Sequence, residues 1–275
     1  MRRYWTIAIA LPLLAGCQKS ETAPEAAPSA TAALAAPSAA ATAAASETPN
    51  PGTARSVEEE NELFAFDYSY PVEAGVIPTL RAVLDADIAR QRDELGKEAR
   101  EGRDEAKKGG FDFQRHDRSV GWKVVADLPG WLSLSADVGG YSGGAHPNHG
   151  YDAMVWDKAA AQRLKASDMF LSPQALSRAI RPDFCREIDK QRAARRGSPV
   201  NRKSGDPFDE CIDPLESTVI LGSSNRKAFD RIGILVAPYE AGPYAEGDYE
   251  VTLPVTASVL AAVKPQYKPT FVIKK

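Results

Sequence analysis

Trp122-Lys123-Val124-Val125-Ala126-Asp127, then Leu128-Pro129-Gly130, then Trp131-Leu132-Ser133-Leu134-Ser135-Ala136-Asp137-Val138 read as two strands around a tight turn. Leu132, Leu134, Ala136 and Val138 alternate with polar residues, the period of a strand with one face on a core. Nearer the N-terminus, Leu63-Phe64-Ala65-Phe66-Asp67-Tyr68-Ser69-Tyr70 is a strand ended by Pro71. A long helix follows from about Ile77, with Ile77, Leu80, Leu84, Ile88 and Leu95 on one apolar face and Gly109-Gly110 at its end. Its charged outer half, Arg90 to Lys108, carries Asp93/Lys97 and Asp104/Lys108 at i,i+4 and reads as a solvated face. Tyr151 to Asp157 resumes as a strand, Pro173 to about Arg195 is helical, and further strands are expected at 217–222, 231–237 and 248–255. Helices that each follow a group of strands predict an α+β fold: antiparallel sheets packed with a long N-terminal helix and a second helical segment.

The first residues have another character. Arg2 and Arg3 precede an apolar run over 4–13 that is shorter than the ~20 residues a membrane-spanning helix needs. Leu14-Ala15-Gly16-Cys17 closes it and resembles the lipobox of bacterial lipoproteins, so residues 1–16 are expected to be a signal peptide. The resemblance implies cleavage before Cys17 and acylation there by chains such as palmitate, of which two or more give stable anchoring. Gln18 follows, where an Asp would resemble an inner-membrane retention signal, so the expected address is the periplasmic face of the outer membrane. Residues 17–55 are rich in Ala, Pro, Ser, Thr and Glu and read as a disordered tether. Its reach as a coil is about 35 Å. The remainder divides in expectation into α+β parts at 56–158 and 159–275.

Losing Arg2 and Arg3 takes the formal charge from −3 to −5. With no basic stripe to neutralise phosphates, nucleic acid is not an expected partner. Once Cys17 is lipidated, Cys185 and Cys211 remain, and an even pair in an exported protein is most simply a disulfide. The polar stretch 195–207 that it encloses has no core of its own.

Gly139-Gly140-Tyr141-Ser142-Gly143-Gly144-Ala145-His146-Pro147-Asn148-His149-Gly150 is the most unusual stretch. Gly140 to Gly144 fits G-x-S-x-G, but a nucleophile elbow turns a strand into a helix and needs a histidine later in the chain. Here another strand follows, and the last histidine is His149. His146, His149 and Asp152, with His116, have ligand chemistry but lie across a Gly/Pro loop and a strand, where successive side chains diverge. No metal or other cofactor is expected. Glycines at these positions permit positive φ and close backbone approach.

Tyr141-Ser142-Gly143-Gly144-Ala145-His146-Pro147-Asn148, then a strand, then Leu164-Lys165-Ala166-Ser167-Asp168-Met169-Phe170, resembles a pair of extracytoplasmic domains. They occur in RsiV-type anti-sigma factors that sense lysozyme, and ahead of the catalytic domain in PdaC-type peptidoglycan deacetylases. Pro238, Tyr239, Gly242, Pro243, Tyr244, Ala245 and Gly247 match a third segment typical of the family. The resemblance covers about residues 62–257. The chain has no counterpart of the anti-sigma factor's transmembrane helix, nor of the deacetylase's T-F-D-D segment. What the resemblance implies is therefore a non-enzymatic binding or sensing module at the cell envelope, for a lysozyme-like protein or peptidoglycan. Tyr141, Ser142, Gly143, Gly144, His146, Asn148, His149, Tyr239 and Tyr244 are the candidate contact or loop-shaping residues. A cell-wall hydrolase using two of Asp137, Asp152 and Asp157 is the alternative, with a structural envelope tether as a third reading.

Overall fold

Leu80, Leu84, Ile88 and Leu95 are all buried, on the inner face of a 32-residue helix, Pro78–Gly109 (α2). A one-turn helix, Val72–Gly75 (α1), precedes it. Pro78 opens α2 at a position where a missing N–H costs nothing, and Gly110 closes it at φ 71°, the left-handed conformation glycine adopts freely. The computed structural model describes residues 52–274. Cys17, the signal peptide and nearly all of the expected tether lie outside the described residues.

α2 packs on a six-stranded sheet of β1 (Arg55–Glu60), β2 (Phe64–Tyr70), β3 (His116–Asp127), β4 (Trp131–Tyr141), β5 (Asn148–Asp157) and β6 (Gln162–Leu164), paired in that order. The sheet is not wholly antiparallel as expected. β2 and β3 pair in parallel, because α2 is the crossover between them and carries the chain back to the end where β2 began. β1 was not expected as a strand; its run Val57-Glu58-Glu59-Glu60 has no apolar alternation, and it pairs as an edge whose Glu59 and Glu60 reach Arg92 and Arg115. On α2 the i,i+4 ion pairs that form are Arg90–Glu94 (2.9 Å) and Lys97–Glu101 (3.9 Å). Trp122 Nε1 donates to the Tyr68 hydroxyl (2.8 Å), which donates to Asp87 (2.9 Å), so a buried polar relay joins sheet to helix.

The second sheet is antiparallel: β7 (Thr218–Gly222), β8 (Arg231–Val236) and β9 (Tyr249–Pro254). It packs with α3 (Pro173–Arg196), and the short helix Ala257–Ala262 (α4) packs on α3 in turn. Two apolar clusters result. One lies between α2 and the first sheet, and the other joins α3, α4 and the second sheet to Val155 and Leu164. Residues 52–274 fall in one compact unit, and the first sheet continues past residue 158 through β6. β7 crosses over β3, β4 and β5, on the face opposite α2. Ser133, read from its alternation as an outward position, is consequently only 1 % exposed.

Cys185 on α3 and Cys211 form the expected disulfide, with Cα atoms 5.5 Å apart. It ties the polar loop after α3 to the helix.

Candidate functional site

β4 and β5 form a hairpin whose tip is the glycine-rich loop. Gly143 (φ 96°) and Gly144 (φ 110°) turn the chain through conformations that a Cβ disfavours. The Tyr141 hydroxyl donates to the Gly144 carbonyl (2.9 Å) and holds the turn closed. The tip presents His146, and there the segment 238–247 comes to meet it.

His146 stacks on Tyr244 with ring centroids 4.1 Å apart and an interplanar angle of 22°, and lies 6.1 Å from Tyr239. Tyr239 and Tyr244 lie 5.4 Å from each other, so three rings form one cluster. Pro147 O can only accept, so His146 Nδ1, 2.9 Å away, carries the proton. In the neutral ring Nε2 is then the acceptor for the Tyr239 hydroxyl at 3.2 Å. Tyr244 also donates to Pro147 O (3.3 Å). Tyr239 is 54 % exposed and sits at φ 71°, left-handed backbone for a bulky residue.

Three arginines of α3 fix the second segment from beneath. Arg192 is fully buried and donates from Nε to Ala241 O and from Nη1 to Glu210 O, both at 2.8 Å. Arg195 lies 3.9 Å over the Tyr249 ring and donates to Glu246 O. Arg196 bonds the Glu246 carboxylate (2.8 Å) and Asp209 (2.7 Å). Beside this clamp, Tyr151 donates to Asp248 at 2.5 Å, with His149 edge-on to the Tyr151 ring at 5.1 Å.

These contacts set the carboxylates' acidity. Burial pushes Glu246 up, but hydrogen bonds from Arg196 and Tyr249 more than offset it and leave it below its ordinary value. The Tyr151 hydrogen bond holds Asp248 down, against burial. At Asp87 burial is likewise outweighed by Arg90, Gln91 and Tyr68. A group with a depressed folded-state pKa stabilises the fold above its unfolded value and ceases to do so as pH falls through the folded one. The urea midpoint is therefore expected to be flat from neutrality to about pH 5 and to fall below about pH 4, where free carboxylates protonate. Glu246→Gln should flatten that acid limb, and an unchanged slope would show that Glu246 contributes nothing to it.

The structure brings His146, Tyr239 and Tyr244 together, with Tyr141, Gly143 and Gly144 shaping the turn. Ser142 lies at the hairpin tip and not at a strand-to-helix elbow. Asn148 and His149 pair with Gly140 and Gly139 as β5 begins. Among the described residues no group of three His, Cys, Asp or Glu could hold a metal ion. The three aspartates of the hydrolase alternative do not converge. Asp137 pairs with Lys123, Asp152 with Arg163 (2.9 Å), and Asp157 accepts the amides of Ala159 and Ala160. In register Asp137 faces Tyr151, so Asp152 points to the other side of the sheet. Asp157, six residues beyond Tyr151 on β5, is about 20 Å from Asp137 at strand rise.

Arg192, Arg195, Arg196, Glu246, Tyr151 and Asp248 were missed in the sequence. One signal was present: Leu176, Ile180, Phe184, Ile188 and Arg192 recur every four residues, so the buried stripe of α3 runs into an arginine.

A family model described as "Deacetylase PdaC" matches residues 57–149, from β1 to the hairpin tip. The search of curated proteins finds no match. Among solved structures, a DUF3298 family member from Bacteroides fragilis superposes with TM-score 0.49 at 16 % identity, over 75 % of this chain and 92 % of that one. A DUF3298 family protein from Pseudomonas aeruginosa gives TM-score 0.42 at 15 % identity, over 79 % and 97 %. Over residues 57–149 the chain is thus similar to the PdaC family, as the motif at the hairpin tip implied.

Proposed function

We propose that this protein is a non-enzymatic binding module of the cell envelope, held at the periplasmic face of the outer membrane by acyl chains on Cys17. The His146–Tyr239–Tyr244 cluster is its contact face, and a lysozyme-like protein or peptidoglycan is its partner. One observation supports the reading above the others. Two segments 93 residues apart meet in a partly exposed aromatic stack, backed by a buried arginine and an ion-paired glutamate. Rigid aromatic anchors over a polar support are what binding hot spots are made of.

The test is retention of the full chain on immobilised lysozyme and on purified peptidoglycan. Tyr239→Ala with Tyr244→Ala should weaken capture by about 30-fold or more, the size of a hot-spot loss. Retention on neither would remove these partners. Unchanged retention by the double variant, with its circular dichroism intact, would place the contact face elsewhere.

A further inference from the structure

A second concave surface lies on the α2 side of the first sheet, near the same hairpin but away from the aromatic stack. Its volume is about 400 Å³, within the range of small-molecule sites. Its floor follows from strand register. Gly140 stands between Arg118 of β3 and Asn148 of β5, and in the next row Val138 pairs with Gly150. Directly paired residues share a face. A bare patch of backbone is thus flanked by a guanidinium and a carboxamide, about 10 Å apart at strand spacing. The patch is open at Gly150, where a Cβ would meet nothing within 4 Å, and closer at Gly140, where a Cβ would come 3.3 Å from the Asp117 carbonyl oxygen.

Leu95 and Glu98 of α2 form the wall. Arg118 is held in place by Glu98 (2.8 Å) and by the Gln91 carbonyl (3.2 Å), with its side chain only 22 % exposed. His116 also lines the cleft; it is 6 % exposed, and its Nδ1 has no hydrogen-bond partner among the described residues. Buried polar atoms in folded proteins nearly always have a partner, so an orphan beside a cleft points to a bound molecule or water.

The lining selects among ligand classes. An anion would meet the carboxylate of Glu98, while the one guanidinium is already engaged by that same carboxylate. A metal ion would find no three-ligand group among the described residues. An apolar ligand would find Leu95 and Val138 but otherwise mostly backbone and polar groups. What remains is a neutral, flat molecule that both donates and accepts hydrogen bonds. We infer that this cleft binds a sugar unit, its ring lying on the Gly140–Gly150 floor and its hydroxyls between Arg118, Glu98 and Asn148. The site is independent of the aromatic contact face proposed above.

The experiment titrates the ¹⁵N-labelled full chain with glucose, N-acetylglucosamine and cellobiose, with inorganic phosphate and Ca²⁺ as comparators. Saturable shifts are expected at the amides of Gly140, Asn148 and Gly150 with at least one sugar and with neither comparator. Gly150 has no positive φ and open space above it, so Gly150→Val is compatible with the fold and places its methyl groups in the slot. It should weaken binding by about tenfold or more, equivalent to 1.4 kcal/mol. Asn148→Ala should weaken binding at an exposed position where folding is not at stake, and Tyr239→Ala should leave it unchanged. The inference is overturned if no sugar gives saturable shifts, if phosphate or Ca²⁺ titrates the same amides, or if Gly150→Val binds as tightly as the parent. Loss of sugar binding in Tyr239→Ala would assign the sugar to the aromatic face.

Discussion

Replacing Arg192 with methionine is expected to lower the unfolding free energy by about 3 kcal/mol, read as a drop in urea midpoint at unchanged slope. Methionine keeps much of the side chain's volume, so a cavity is not the cause. The loss comes chiefly from the buried carbonyl of Ala241, which no solvent reaches, and less from that of Glu210, which lies on an exposed residue. Each stranded acceptor costs about 1–3 kcal/mol when no other donor reaches it. Asp189, the third partner at 3.3 Å, is 28 % exposed and keeps Arg202 at 2.5 Å, so its share is small. The same variant frees the segment that carries Tyr239 and Tyr244, so ligand retention should fall with stability. Arg202→Met, which removes only a partly exposed ion pair, should change stability by less than about 1 kcal/mol. Equal effects of the two substitutions would mean that the buried Ala241 carbonyl finds another donor.

The Cys185→Ala, Cys211→Ala double variant should lose roughly 3.5 kcal/mol on the chain-entropy model, since the bridge closes a loop with a sequence separation of 26. For a folded region of this size that corresponds to a melting temperature about 10 °C lower. Arg181 still donates to Cys211 O (2.7 Å) and Arg192 to Glu210 O, so the loop stays attached to α3 in the native state. The thermal scan should therefore remain a single transition, shifted down. Combining this variant with Arg192→Met should cost more than the sum of the two, because Glu210 and Cys211 are adjacent and each contact holds the loop for the other. Strict additivity would show that the two restraints act independently.

The sequence made some features legible and hid others, for reasons that lie in particular residues. The strands around Leu132 and the buried face Leu80–Leu84–Ile88–Leu95 announce themselves because one side of each meets a core and the other meets water. β7, β8 and β9 fall within one residue of their expected bounds, since proline, glycine and polar turns bracket them. β1 stayed hidden because its Glu-rich edge is stabilised by backbone pairing and by arginines distant in the chain. The parallel β2–β3 pair stayed hidden because alternation does not encode strand direction. At the candidate site both segments were visible as unusual runs of glycine, proline and tyrosine. That they meet was not visible, since it depends on how the second sheet crosses the first and on arginines that composition alone places in solvent.

Tyr239 holds a left-handed backbone conformation that costs a residue with a Cβ roughly 1–2 kcal/mol relative to one in the right-handed region. Glycine would relieve most of that cost and would delete the ring that bonds His146 and packs beside Tyr244. Any redesign guided by thermal robustness alone would therefore choose glycine here, and would erase the most exposed member of the aromatic stack while appearing to improve the protein. Protein engineers working with this scaffold should hold position 239 fixed and seek added robustness elsewhere.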